Sequence, residues 1–164
     1  MGSSMQTLSF PLTNRYTRLI FQYRLGSHDY TFMYDSGASV PVWCTGEELL
    51  LRAYPDAKET SYTCHVTGFG KGDEAGKVYC IPRFCLGNGN KLFTIHNLLL
   101  VVLAKPFIGC DFLLSETMLS KTDTHILRVA DRQIQISYKE NEYHCTGKRV
   151  DRELLDISVW AQEE

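Results

Sequence analysis

The sequence predicts a mainly β fold, a closed or folded-over β architecture with two or three short helices. Two observations carry this prediction. Short segments rich in β-branched and aromatic residues recur at close spacing, and clusters of glycine, asparagine and proline separate them. Only a few short stretches have the apolar spacing of a helix. With 164 residues the chain is long enough for one domain with a real core and short for two.

The first strands are predicted to form a hairpin. Residues 18–24 and 30–34 are its strands, and the turn-forming residues 25–29 join them. A short helix follows, because Thr45 and Glu48 fit a capping box and the helix ends at Pro55.

Two further hairpins are predicted in the middle of the chain. Residues 62–67 and 77–81 flank a segment rich in glycine, which indicates a long hairpin. Residues 84–86 and 92–95 enclose Gly87-Asn88-Gly89-Asn90, whose residues tolerate the positive φ angles of tight turns.

The second half of the chain continues this pattern. The apolar run 98–104 indicates a strand buried on both faces, and it is far shorter than the ~20 residues of a membrane-spanning helix. Apolar spacing predicts a helix over 111–120 with Asp111 as its cap. Residues 125–129 and 133–138 alternate as strands, whereas 151–162 has weak helical character.

Composition limits the classes of partner. The net charge of −2 gives no electrostatic argument for nucleic acid or an anionic membrane, and 44% apolar residues are typical of a soluble globular protein. Residues 1–6 lack a basic start followed by an apolar run, so we expect no secretory signal.

The six cysteines lack the dense, regular spacing of a secreted disulfide framework. We therefore expect reduced thiols and a cytoplasmic protein. The cysteines are Cys44, Cys64, Cys80, Cys85, Cys110 and Cys145.

An acid at the end of an apolar strand is the first candidate for chemistry. The strand 31–34 runs into Asp35-Ser36-Gly37-Ala38. Because burying a carboxylate is costly unless it is used or paired, we expect Asp35 to have a role. A small hydroxyl residue beside it can form a hydrogen bond without crowding, and glycine allows another backbone to approach closely.

Two later segments follow this motif in a defined order. The three pieces are Phe32-Met33-Tyr34-Asp35-Ser36-Gly37-Ala38-Ser39, then Thr67-Gly68-Phe69-Gly70, then Pro106-Phe107-Ile108-Gly109-Cys110-Asp111-Phe112-Leu113-Leu114. Together they resemble the retropepsin-like aspartic peptidases, over roughly residues 18–138.

The resemblance implies a single-lobed acid protease fold, a closed or folded β-barrel, and an endopeptidase that needs no cofactor and no metal. In that mechanism two aspartates share a proton across a bound water that attacks the scissile carbonyl. Asp35 belongs to the one Asp-[Ser/Thr]-Gly triplet here, because His125 follows Asp123-Thr124. We therefore expect a two-fold symmetric homodimer in which each subunit supplies Asp35.

The resemblance also assigns supporting roles. Ser36, Gly37 and Ala38 would form the loop that supports the active site, and the segment Gly68-Phe69-Gly70 would belong to a flap over the substrate. The substrate would be a peptide or protein held in extended form, largely through backbone hydrogen bonds.

The expected division of the chain has three parts. Residues 1–17 are an N-terminal segment that serves as a dimer strand or is a cloning remnant. Residues 18–138 are the retropepsin-like peptidase domain, and residues 139–164 are a C-terminal extension of uncertain role.

Simpler interpretations remain open for these residues. Asp35 before Ser-Gly is also typical of an Asx-turn. Asp111 is better explained as a helix cap than as a second catalytic carboxylate. Cys64-His65 with Cys80 and Cys85 could be assembled into a zinc site, but no Cys-x-x-Cys pair is present and buried small cysteines explain them more simply.

Three classes of function follow. The first is the dimeric endopeptidase, and the alternative is a catalytically silent binding or assembly module on the same fold. A metal-dependent protein built on the cysteines is the third and weakest.

Overall fold

The computed structural model describes residues 5–13, 19–66, 74–88, 90–107, 109–118, 125–129, 132–140, 142–150 and 153–161. These residues form twelve β-strands, one α-helix and one 3₁₀ helix, which confirms the mainly β prediction. In chain order the elements are β1 (Met5–Pro11), β2 (Leu19–Leu25), β3 (His28–Asp35), β4 (Val42–Trp43), α1 (Glu47–Ala53), β5 (Lys58–Val66), β6 (Glu74–Asn88), β7 (Lys91–Leu103), β8 (Phe112–Ser115), the 3₁₀ helix (Glu116–Met118), β9 (His125–Val129), β10 (Gln133–Lys139), β11 (Tyr143–Val150) and β12 (Glu153–Ala161).

The described strands form two sheets. The smaller sheet has the order β1-β10-β9, with antiparallel pairs throughout. The nine-stranded sheet has the order β11-β12-β5-β6-β7-β4-β8-β3-β2, and β11 pairs additionally with β7. Following the paired strands from β7 through β6, β5, β12 and β11 therefore leads back to β7, as expected for a folded-over β architecture. The strands β4, β8, β3 and β2 extend the sheet beyond β7.

The first predicted hairpin is confirmed. β2 pairs with β3 in antiparallel register from Leu19↔Tyr34 to Leu25↔His28, and Gly26 in the tight turn has a φ of 64°. Glycine adopts this left-handed backbone without the strain that a Cβ atom causes.

The central hairpins are longer than predicted. The segments 77–81 and 84–86 belong to one strand, β6, and the segments 92–95 and 98–104 lie largely in its partner, β7. The register continues from Ile81↔Leu98 to Arg83↔His96. Pro82, which lacks a backbone N–H, and Asn97, with a φ of 56°, therefore form a local irregularity in a continuous ladder rather than a turn.

The helix α1 lies where it was predicted, but its capping box does not form. Gly46 is the N-cap, with a φ of 101° and no side-chain hydrogen bond to the first turn. Leu50 and Ala53 are the buried face of the helix. The hydroxyl of Thr45 bonds to Asp111 instead.

The helix predicted over residues 111–120 is wrong in its described part. Residues 112–115 form β8, all four of them buried, and the 3₁₀ helix follows at Glu116–Met118. β8 pairs in parallel with β3 and antiparallel with β4. Four successive buried residues need partners on both faces, which the interior of a sheet supplies and a surface helix does not.

The weak helical character predicted over residues 151–162 is also wrong. β12 covers Glu153–Ala161 and pairs with β11 in an antiparallel hairpin. Through β5 and β7 this hairpin joins the larger sheet. The predicted hairpin of β9 and β10 is confirmed, and β10 also pairs with β1 near the N-terminus.

An aromatic cluster packs around β8. The ring of Phe112 lies 5.4 Å from that of Phe32, 5.7 Å from that of Trp43 and 5.6 Å from that of Phe84, measured between centroids. Such pairs contribute roughly 0.5–1.5 kcal/mol each beyond the burial of their area. They fix β3 and β4 against β8.

No helix in the described part of the chain is both long enough and apolar enough to cross a membrane.

Candidate active site

Asp35 is the last residue of β3. In the parallel pair with β8 it lies opposite Ser115, whose side chain is fully buried. Upstream on β3, Phe32 and Met33 are both buried, on opposite faces of the strand. The carboxylate therefore projects from the end of a strand that is fixed on both of its edges.

The residues after Asp35 form a tight turn. The backbone N–H of Gly37 donates a hydrogen bond to Oδ1 of Asp35 at 2.8 Å, and the N–H of Ala38 donates to the backbone carbonyl of Asp35 at 3.2 Å. Ser36 is exposed, whereas Ala38 packs against the core. The Asx-turn considered from the sequence is therefore present, and it brings the four predicted residues together.

A side chain at position 37 would crowd the Asp35 carboxylate. A Cβ atom built on Gly37 would lie 3.3 Å from Oδ1 of Asp35, closer than ordinary van der Waals contact. The absence of a side chain lets the Gly37 N–H approach the carboxylate closely.

The Asp35 side chain is exposed in the single chain. The expected free-energy cost of burying its carboxylate therefore does not arise in one copy of the chain. Within the residues that the structure describes, Oδ1 is engaged by Gly37 and no group donates a hydrogen bond to Oδ2. A carboxylate in this arrangement has a fixed orientation and one oxygen available to a water or to an acid.

Two carboxylates, those of Asp35 and Glu116, lie close enough to Tyr34 to affect its pKa. Burial raises the pKa of Tyr34 above its usual 10.0, and the charges of Glu116 and Asp35 raise it further. Glu116 begins the 3₁₀ helix directly after Ser115. The carboxylates of Glu116 and Asp35 thus both act on the phenol that precedes Asp35.

Asp111 joins three segments behind the site. Its Oδ2 accepts the backbone N–H of Thr31 and its Oδ1 accepts the hydroxyl of Thr45, both at 2.8 Å. Its own N–H donates to the Thr31 carbonyl at 2.8 Å, and its carbonyl accepts the N–H of Cys44 at 2.8 Å. Asp111 therefore connects β3, β8 and the segment after β4, and its predicted role as a helix cap is wrong.

The structure adds residues that sequence reasoning missed. Ser115 lies opposite Asp35, and the Thr31–Asp111–Thr45 bridge holds the strand that carries it. Asp111 was visible in the sequence within the Gly109-Cys110-Asp111 segment. Its partners are 80 and 66 positions away, so no local pattern could identify them.

The other predicted site residues are placed less fully. Gly68, Phe69 and Gly70 lie outside the described residues. The strands on either side of that segment, β5 and β6, pair up to Val66↔Glu74, so the segment connects the two strands of a hairpin. Among the described residues, no group of three or more His, Cys, Asp or Glu side chains is placed to hold a metal ion.

We compared the sequence and the fold with those of known proteins. No protein-family model and no curated protein matches the sequence. The fold is similar to that of a retropepsin-like aspartic protease from Rickettsia conorii, with a TM-score of 0.51 over 83% of this chain and 93% of that chain. The sequence identity is 18%, so this likeness concerns the fold alone. The chain has the mainly β, retropepsin-like fold that its three ordered motifs predict.

Proposed function

We propose that this protein is an aspartic endopeptidase that acts as a homodimer. The observation that carries the proposal is the position of Asp35. It ends a core strand of a retropepsin-like fold, inside an Asp-Ser-Gly turn whose Gly37 N–H holds one carboxylate oxygen at 2.8 Å.

The sequence favours a second copy of the chain as the source of the other carboxylate. The 164 residues contain one Asp-[Ser/Thr]-Gly triplet. Chemistry that requires two facing carboxylates therefore needs two copies. A two-fold axis through the site would place Asp35 of each subunit against its mate, because an isologous contact puts the same residue on both sides.

The proposed reaction is hydrolysis by a bound water. One Asp35 carboxylate accepts a proton from the water as its oxygen attacks the scissile carbonyl, and the other, protonated, donates a hydrogen bond to that carbonyl oxygen. The tetrahedral intermediate collapses as the amide nitrogen takes up a proton and leaves. No covalent bond to the enzyme forms.

The remaining residues have supporting roles in this proposal. The turn Ser36-Gly37-Ala38 keeps the carboxylate in one orientation, which is the kind of positioning that lowers a reaction barrier. The segment Gly68-Phe69-Gly70 would cover the substrate and exclude water. An extended peptide would bind through its backbone, with specificity set by side-chain pockets.

Asp111 supports the proposal structurally. Its bonds to Thr31 and Thr45 brace β3 four residues before Asp35. A site built on a braced strand can hold a catalytic group within the narrow tolerance that chemistry requires.

The direct test compares Asp35→Asn with Asp29→Asn. Both residues lie on β3, and the Asp29 side chain is exposed in a surface ion pair with Arg24. Digestion of a peptide library, read by mass spectrometry, should fall on the order of a hundredfold or more in Asp35→Asn and stay unchanged in Asp29→Asn. Sedimentation should show the same dimer for both variants. Undiminished cleavage by Asp35→Asn would exclude this mechanism.

The alternative is a catalytically silent module on the same fold. A single chain carries only one such aspartate, so a chain that stays monomeric would lack the second carboxylate and fit this alternative. A strict monomer by light scattering, together with no cleavage between acidic and neutral pH, would support this alternative against the peptidase.

A further inference from the structure

Two cysteines that the proposed function does not use lie in contact. The Sγ atoms of Cys44 and Cys110 are 3.9 Å apart, although the residues are 66 positions apart in the chain. Cys44 is 0% exposed and Cys110 is 3% exposed. Both are free thiols.

The backbones around these thiols are held by short hydrogen bonds. The N–H of Cys44 donates to the carbonyl of Asp111 at 2.8 Å, and its carbonyl accepts the N–H of Phe107 at 2.7 Å. The adjoining residues Trp43 and Phe112 are paired in the β4–β8 ladder. A disulfide bond is about 2.05 Å long, so the two sulfurs must approach each other by about 2 Å for the bond to form.

The other described cysteines have different neighbours. The sulfur of Cys85 contacts the hydroxyl of Thr94 at 3.5 Å, and the sulfur of Cys145 accepts the N–H of Leu99 at 3.3 Å. Among the described contacts, sulfur meets sulfur at Cys44 and Cys110. We therefore take this pair as the candidate for cross-linking.

We infer that Cys44 and Cys110 are an oxidation site, at which a peroxide converts the two thiols into a disulfide that ties β4 to β8. In the first step one thiolate attacks an oxygen of hydrogen peroxide. An S–O bond forms, the O–O bond breaks and hydroxide leaves as water. In the second step the other sulfur attacks the resulting sulfenic acid, an S–S bond forms and a second water leaves. The thiols lose two electrons and two protons, and the peroxide is reduced to two waters.

We expect the reaction to be slow at neutral pH, because both thiols are buried and peroxide reaches them only when the fold opens locally. The contact with the Cys110 thiol and burial together raise the pKa of Cys44 well above its usual value. Because the thiolate is the reactive form, closure accelerates as pH rises.

The cross-link would stabilise the part of the fold that carries Asp35. β4 follows the Asp35 turn in the chain, and β8 pairs with the strand that ends at Asp35. Closing a loop of this length raises Tm by roughly 10 °C when no strain opposes it.

The test uses the intact, reduced protein. It is treated with hydrogen peroxide at neutral and mildly alkaline pH, its remaining thiols are alkylated in denaturant, and peptides are mapped without reduction. The expected product is a peptide linking Cys44 to Cys110 with the loss of two hydrogen atoms, formed faster at the higher pH. Dithiothreitol should remove the link and reverse the rise in Tm.

Variants separate this link from general oxidation. Cys44→Ala and Cys110→Ala should each abolish the linked peptide and the peroxide-dependent rise in Tm. Cys64→Ala, also at a buried position, should keep both. The inference is overturned if both thiols of the wild type remain alkylatable after peroxide treatment, or if the sulfurs that become linked are others. The mapping of the wild type gives this answer even where a variant folds poorly, and it does not depend on peptidase activity.

Discussion

The backbone N–H of Gly37 donates a hydrogen bond to Oδ1 of Asp35 at 2.8 Å, and a Cβ atom at position 37 would lie only 3.3 Å from the same oxygen. The hydrogen bond and the missing Cβ atom both determine where the Asp35 carboxylate can lie. The orientation of the carboxylate depends on a residue that contributes no functional group of its own.

Gly37→Ala should therefore lower kcat more than it changes KM. A Cβ atom 3.3 Å from Oδ1 forces the carboxylate to move by a few tenths of an ångström. Misplacement of a catalytic group on this scale lowers the rate by on the order of tenfold to a hundredfold. Steady-state kinetics on a cleaved peptide measures the effect. Asp29→Ala, at an exposed position on the same strand but outside the Asp35 turn, is the control, and an equal loss in both variants would argue against a specific role for the glycine.

The hydrogen bonds that Asp111 accepts should contribute about 3 kcal/mol to the free energy of unfolding. Asp111→Ala removes acceptors from the Thr31 N–H and the Thr45 hydroxyl, so we expect the free energy of unfolding to fall by about 3 kcal/mol. Thr45→Val should lower it by about 1 kcal/mol. Since the two residues share a hydrogen bond, the double variant should lose less than the sum, by about 1 kcal/mol.

Urea unfolding of the four proteins in this cycle measures the coupling. Asp29→Ala is the control, because its exposed ion pair with Arg24 should contribute under about 1 kcal/mol. Additive losses at Asp111 and Thr45 would show that their hydrogen bond does not stabilise the fold.

The titration of Tyr34 reports on the charge at Asp35. Burial is the main cause that raises the pKa of Tyr34 above 10.0, and the negative charges of Glu116 and Asp35 add to it. Asp35→Asn removes one of these charges, so the pKa of Tyr34 should fall but remain above 10.0. NMR of tyrosine labelled at Cζ follows each phenol separately. Tyr23, whose pKa is raised mainly by burial, is the internal control, and a pKa of Tyr34 that did not respond would place Asp35 away from it.

Alkaline pH should destabilise the fold through Tyr54. Burial holds the pKa of Tyr54 well above 10.0 in the folded protein, whereas in the unfolded chain the phenol ionises near 10.0. The contribution of Tyr54 to the free energy of unfolding is therefore fully present below pH 10. It is lost as pH rises above 10, because the phenol of the unfolded chain releases its proton first. Tyr54→Phe should weaken this loss in urea titrations between pH 9 and about pH 11.

The same substitution should be tolerated at neutral pH. No described residue forms a hydrogen bond with the buried hydroxyl of Tyr54, so its removal should leave stability unchanged or raise it by about 1 kcal/mol. Tyr79→Phe gives the contrast, because the Tyr79 hydroxyl donates to Glu59 at 3.2 Å and its loss should cost about 1 kcal/mol. A large loss in Tyr54→Phe would mean that its hydroxyl has a partner after all.

The sequence was informative where local chemistry decides the structure. Gly26 marked a tight turn, and the Asp35-Ser36-Gly37 triplet marked the turn that the structure contains. Residues 112–115 were misassigned because their apolar spacing suits a helix, while their partners, β3 and β4, are far away in the chain. The predicted strands stop short of Pro82 and Asn97, whereas in the structure both residues lie between the register pairs Ile81↔Leu98 and Arg83↔His96 of one long hairpin.

The candidate site was predictable in part for the same reason. Asp35 and its supporting turn are contiguous, so their pattern can be recognised in one short segment. Ser115 and Asp111 reach the site through strand pairing and long-range hydrogen bonds. Identifying them requires the register of the sheet, which depends on the whole core.

The central claim is that each active site contains Asp35 from two chains. Wild-type and Asp35→Asn chains can be mixed at known ratios, unfolded and refolded together so that subunits exchange, and assayed for peptide cleavage. If both carboxylates are required, activity per chain falls as the square of the wild-type fraction, to about one quarter in an equal mixture of wild-type and variant chains for a two-fold dimer. Activity that falls in direct proportion to that fraction would mean that one chain suffices, and it would contradict the account.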